Sequence, residues 1–181
     1  INSIPAPEII DHHATEKEIE YYLSGLKELD SMGVDFIVMV CNTIHIYYDF
    51  LQDNINTKII NLREAVLNYI KHENIGSVLV IGTRGTIESG LYGFDDIKTL
   101  RPDENEIDDI AKIVADFNRG KCTGKKRLAD ICRKYAGPRD HVILGCTEIA
   151  LMLESMNMKK INTIDILVDA VCDNLNKSCD K

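Results

Sequence analysis

Apolar residues in this chain come in two textures: stripes spaced three and four apart, and short runs with little polar interruption. Ile19, Tyr22, Leu23, Leu26 and Leu29 share one helical face behind Thr15-x-x-Glu18, a capping box, and Gly33 supplies the stop. Phe36-Ile37-Val38-Met39-Val40 is the heart of a strand over Val34–Val40, followed by Cys41-Asn42-Thr43-Ile44-His45 and a helix to about Gln52. A short strand over Thr57–Leu62 and a helix over Arg63–His72 come next, then a nearly all-apolar strand, Ser77–Gly82, ending in Gly82-Thr83-Arg84-Gly85-Thr86. Ile107, Ile110, Val114 and Phe117 mark a helix from near Asp103 to Gly120, and another runs from about Thr123 to Tyr135, stopping at Gly137. The strand His141–Leu144 feeds Gly145-Cys146-Thr147-Glu148 and a helix over Thr147–Met156. A last strand, Lys160–Thr163, precedes a helix over Ile166–Leu175. Residues 1–5 read as a strand end closed by Pro5-Ala6-Pro7.

Strands that alternate with helices, and are apolar along their whole length, indicate a parallel sheet covered on both faces. The two cysteine segments repeat one order: strand, cysteine, polar residue, threonine, helix. That weak internal repeat predicts an α/β fold of two similar lobes, each a mainly parallel sheet flanked by helices, with the active site in the cleft between them. With 181 residues, the chain suffices for one sizeable domain or two small lobes.

Composition narrows the partners. A formal charge of −8 and the lack of a basic stripe argue against nucleic acid; Lys125-Lys126-Arg127 reads as a solvated helix face. No apolar stretch approaches a membrane span, and no signal peptide is visible. The six cysteines lack the dense spacing of a small secreted scaffold, so a reducing cytoplasm is the expected location. Ile1 opens the chain without an initiator methionine, in what reads as the end of a strand.

The chemistry lies at the strand ends. Open α/β sheets bind ligands at the carboxyl ends of their strands, and two thiols reach that edge, each beside hydroxyl donors. Racemisation needs a base on one face of a carbon and an acid on the other, and cysteine serves as either. A helix N-terminus is expected to lower the pKa of Cys41 and Cys146 and so favour the thiolate. Asn42, Thr43, Thr147 and the backbone N–H groups after each cysteine are the donors for a substrate carboxylate, with Thr83 and Thr86 completing the cradle. No pyridoxal-type lysine context is evident, so no cofactor is invoked.

Other residues read more plainly. Cys132 and Cys172 lie on apolar helical stripes and read as core, while Cys122 and Cys179 read as surface thiols. His45, four residues after Cys41, reads as tuning the site or simply packed rather than as a metal ligand. Glu148 reads as stabilising a helix start or orienting a neighbour. His12-His13 reads as solvated loop.

The paired segments, with Gly82-Thr83-Arg84-Gly85-Thr86-Ile87-Glu88-Ser89-Gly90-Leu91-Tyr92, resemble the aspartate/glutamate racemase superfamily, and His45 and Glu148 resemble its aspartate racemase branch. The resemblance implies a cofactor-independent isomerase acting on an acidic amino acid. Cys41 and Cys146 would be the catalytic pair, and Asn42, Thr43, Thr83, Thr86 and Thr147 would bind the substrate. Arg119, in Asn118-Arg119-Gly120, falls where the family has a basic residue near the cleft. The first lobe would comprise 1–61 and 164–181, the second 62–163, and the assembly would be a homodimer. The family's first strand, glycine-rich loop and first helix would lie upstream of Ile1; a polypeptide lacking them is expected to be inactive or misfolded. Pro7-Glu8-Ile9-Ile10 lacks the arginine of aspartate-specific members, leaving aspartate, glutamate or another amino acid open. Maleate-isomerase-like or hydantoin-racemase-like chemistry, or ligand binding without catalysis, are the alternatives.

Overall fold

The structure is a computed structural model and describes Ile9 and residues 13–121 and 123–179. The expected strand end and Pro5-Ala6-Pro7 break, His12, Cys122 and the Cys179 side chain lie outside the described residues.

Helix α1 (Glu16–Ser31) opens on the expected capping box: Glu18 N–H donates to Thr15 Oγ1 at 3.3 Å, and Thr15 N–H to Glu18 Oε2 at 2.7 Å. Leu23 and Leu26 are its buried face. Next comes a short 3-10 helix (Thr43–Tyr47), then α2 (Tyr48–Asp53), α3 (Leu62–His72), β1 (Ser77–Gly82) and α4 (Arg84–Glu88). They are followed by β2 (Lys98–Leu100), α5 (Glu104–Asn118), α6 (Lys125–Tyr135), β3 (His141–Gly145), α7 (Thr147–Leu153), β4 (Lys160–Asn162) and α8 (Thr163–Cys179).

The four strands form one parallel sheet in the order β2-β1-β3-β4. Beyond their first residues the two central strands are buried, as their unbroken apolar runs require. Helices α3, α5, α6, α7 and α8 cover the sheet with Val66, Ile70, Ile107, Ile110, Leu128, Ile131, Ile149 and Leu167. Burying each such side chain contributes roughly 1.5–3 kcal/mol, which makes this sheet the main stabilising unit.

The first part of the chain differs from expectation. Val34–Val40 and Thr57–Leu62 do not form extended strands but touch at one parallel bridge, Ile37 to Ile59. Ile37 N–H donates to Lys58 C=O at 2.8 Å, and Ile60 N–H to Ile37 C=O at 2.9 Å. Side chains hold the rest: Asp30 accepts from Thr57 N–H (2.7 Å) and its hydroxyl (2.6 Å), and Gln52 accepts from Ile59 N–H (2.7 Å). A smaller apolar cluster, including Leu26, Ile37, Ile44, Leu51 and Ile59, fills this region. Thus there are two apolar cores, but the four-stranded sheet has no counterpart among the described residues of the first. Helix α8 buries Ile166 and Leu167 in the larger core and packs along α3. Cys132 is buried as expected, whereas Cys172 is exposed.

Candidate active site

The register of β1 on β3 builds the site. Pairing runs from Val78 on His141 to Gly82 on Gly145, so Thr83 and Cys146 leave the sheet side by side at its carboxyl edge. Glycine at 82 is required by this approach, because a Cβ there would lie 2.9 Å from the Gly145 carbonyl oxygen. The edge opens into a cavity of about 280 Å³, lined by Cys41, Asn42, Thr43, Thr83, Cys146, Thr147 and Glu148. Ile9, Tyr22, Val40, Val114, Asn118 and Gly145 complete the lining. Both cysteines therefore border one small-molecule-sized space.

Behind the cysteines is a cluster of hydroxyls. Thr83 Oγ1 lies 2.9 Å from Thr43 Oγ1 and 3.0 Å from Thr86 Oγ1, and the third pair is 3.4 Å apart. Thr83 also caps α4, accepting Thr86 N–H at 3.3 Å. Thr43 and Thr83 reach the cavity; Thr86, fully buried, stands behind them and orients them instead of lining it. Asn42 is held by the buried Tyr92, whose hydroxyl donates to Asn42 Oδ1, while Asn42 Nδ2 has no protein partner. Tyr92 closes the quoted threonine-containing stretch, yet only the fold brings it to residue 42.

Cys146 caps α7 from extended backbone. Its Sγ–H donates to Glu148 Oε2 at 2.9 Å, and Thr147 Oγ1 donates to the same oxygen at 2.7 Å. The expectation of lowered thiol pKa values is overturned. Burial, the Glu148 charge and its hydrogen bond push Cys146 well above the ordinary thiol range, against weaker backbone N–H contributions. Burial also raises Cys41, although the N–H groups of Ile44 and Thr43 oppose it. Burial alone would raise Glu148, but hydrogen bonds from Cys146, Thr147, its own backbone and Asn118 hold its carboxyl below the usual range.

Two expected site residues lie elsewhere. Arg119 points to solvent, 3.9 Å from Asp116, and its neighbour Asn118 takes the place at the cavity. His45 is buried under the first segment, with Nε2 3.2 Å from the Met39 carbonyl and its ring stacked on Tyr48. Arg84 leaves the cavity edge to bind Glu88, Glu104 and Asp108, tying α4 to the start of α5. Among the described residues, no three His, Cys, Asp or Glu side chains are grouped as metal ligands.

A parallel α/β sheet whose carboxyl edge opens into a cavity bordered by two thiols and a hydroxyl cradle defines an enzyme-like class of site. Residues 1–171 match the Asp/Glu/Hydantoin racemase family, to which this chain belongs. The broad specificity amino-acid racemase RacX of Bacillus subtilis is 36% identical over 83 residues, covering 46% of this chain and 35% of that protein. The glutamate racemase of Aquifex pyrophilus is 30% identical over 143 residues, 74% of this chain and 54% of the relative. The chain thus spans roughly a third to a half of these two curated relatives. Among solved structures, a putative Asp/Glu racemase from Yersinia pestis superposes with a TM-score of 0.73 at 21% identity, over 88% of this chain and 74% of that one. An aspartate racemase homologue from Pyrococcus horikoshii gives 0.69 at 22% identity, over 86% and 74%. These likenesses establish the α/β fold. No helix among the described residues is long and apolar enough to cross a membrane.

Proposed function

We propose that this chain carries the catalytic pair of a racemase that inverts an α-amino acid by two-base proton transfer between Cys41 and Cys146. The observation that carries the reading is that both thiols border the same cavity of about 280 Å³ beside Asn42, Thr43, Thr83 and Thr147. One sulfur, as thiolate, takes the Cα proton; the other, as thiol, returns a proton to the opposite face. The electron pair left on Cα spreads into the substrate carboxylate, and hydroxyl, amide and backbone N–H donors stabilise the charge there. The raised thiol pKa values suit the acid role directly. They also make each thiolate, once formed, a stronger base.

Aspartate and glutamate are the substrates to test first, as the relatives' names suggest. A second reading is favoured by one observation: Glu148 is the carboxylate in the described lining, which includes no lysine or arginine. An amino acid with an uncharged or basic side chain meets no like charge there, and aspartate or glutamate does. The test is chiral chromatography after incubation of the protein with single enantiomers across acidic, neutral and basic amino acids. Appearance of the opposite enantiomer names the substrate. No inversion of any of them sinks the proposal and turns attention to maleate, hydantoins and binding alone.

A further inference from the structure

The cavity treats its two thiols differently. One oxygen of Glu148 accepts hydrogen bonds from both Cys146 Sγ (2.9 Å) and Thr147 Oγ1 (2.7 Å). An ionised carboxylate has no proton to give, so both protons stay on their donors and Cys146 is held as S–H. The same charge reaches Cys41 only through space, while the N–H groups of Thr43 and Ile44 point at the Cys41 sulfur and favour its thiolate. Other groups facing the pair do not cancel this inequality. Asn118 of α5 is uncharged and donates to Glu148; Tyr22 of α1 is pushed up to about 12 by burial and then by Cys41 and Glu18, and so stays neutral.

We propose that Glu148 is a positioning residue that makes the pair unequal: it keeps Cys146 as the standing proton donor and leaves Cys41 to act first as base. The assignment rests on the two-thiol reading above. In the first half-reaction the Cα–H bond breaks and an S–H bond forms on Cys41, leaving the electron pair on the substrate. Cys146 then gives its proton to the opposite face and becomes a thiolate beside Glu148. Like charges at that distance disfavour this state. Water therefore reprotonates Cys146 and takes the proton from Cys41, returning the cleft to its starting form. The resting protein is set for the enantiomer that turns its Cα–H toward Cys41. Because enantiomers are equal in energy, kcat/KM must be the same in both directions, so the asymmetry takes the form of kcat and KM rising or falling together.

The experiment is a pH titration by NMR of protein carrying 13Cβ-labelled cysteine, with resonances assigned from Cys41→Ser and Cys146→Ser. In wild type Cys41 is expected to ionise at lower pH than Cys146. In Glu148→Gln the Cys146 midpoint falls by about one pH unit or more, and Cys41 moves less. A wild-type Cys146 that ionises first overturns the proposal even if the variant fails to fold. An unmoved Cys146 midpoint in a folded variant does the same. The titration needs no turnover, so it separates two failures. A reversed order in a protein that racemises defeats this assignment alone. The expected order with no Cα exchange on any amino acid removes the racemase reading, and the acid and base roles with it.

Discussion

Cys41 and Cys146 end similar strings of sequence, yet the chain supports them by different means. Cys146 directly follows β3, a central strand of the four-stranded sheet whose register with β1 runs over five residue pairs. Cys41 follows a segment tied to its neighbour by one bridge, and the fixing is done by Asp30, Gln52, a small apolar cluster and the buried His45. One thiol is held by backbone pairing, the other by side chains. The first arrangement averages over many hydrogen bonds, while the second depends on a few groups and their protonation states.

The largest expected effects fall on the thiols themselves. Replacing either Cys41 or Cys146 by serine is expected to lower racemisation about 10²–10⁴-fold, measured by circular dichroism of a single enantiomer over time. A loss at Cys146 alone would mean that the two are not a working pair.

Acid should separate the two regions next. Burial lowers the His45 pKa to about 4, from an unfolded value of 6.5, with the Met39 carbonyl opposing. The folded chain therefore binds fewer protons than the unfolded one between those values. This group's contribution is complete above about pH 6.5 and is lost as pH falls toward 4, by about 3 kcal/mol in all. Urea unfolding at several pH values checks this, and His45→Gln should flatten that part of the profile. An unchanged profile would mean that His45 is not buried in its neutral form.

Packing at the sheet edge comes after. Gly82→Ala brings a methyl against Gly145 O and Thr86 Cγ2, at 2.9 and 3.0 Å, and should cost about 1–3 kcal/mol of stability, seen as a lower denaturant midpoint. The smallest effect is at Tyr92→Phe, which removes the donor to the buried Asn42 Oδ1. We expect a loss of about 1 kcal/mol of stability, measured by urea unfolding, together with a rise in KM.

Much of the better-supported region was legible. The unbroken apolar runs of β1 and β3, the Thr15/Glu18 capping box and the placement of Cys146 at the sheet's carboxyl edge follow from local pattern. The composition of Val34–Val40 favours a full strand, but strand length depends on a partner, and only Ile59 lies alongside Ile37. Lys98–Leu100, a three-residue edge strand with two exposed side chains, carries no apolar signal in the sequence. Arg119 and Asn118 are adjacent, and only the phase of α5 decides which one reaches the cavity. Tyr92, 50 residues from Asn42, left no local trace of its role. The sign of the thiol pKa shifts is not legible in the sequence, because burial, which outweighs the backbone N–H groups at both sulfurs, is a property of the folded molecule.

The central claim is that two thiols of unequal support act on opposite faces of one carbon. Proton NMR in D2O tests it, following the Cα signal of each enantiomer of a substrate with wild type, Cys41→Ser and Cys146→Ser. The account predicts deuteration with inversion in wild type; each single variant should lose inversion, and any exchange that persists should be confined to one enantiomer. Full inversion surviving in either variant would contradict it.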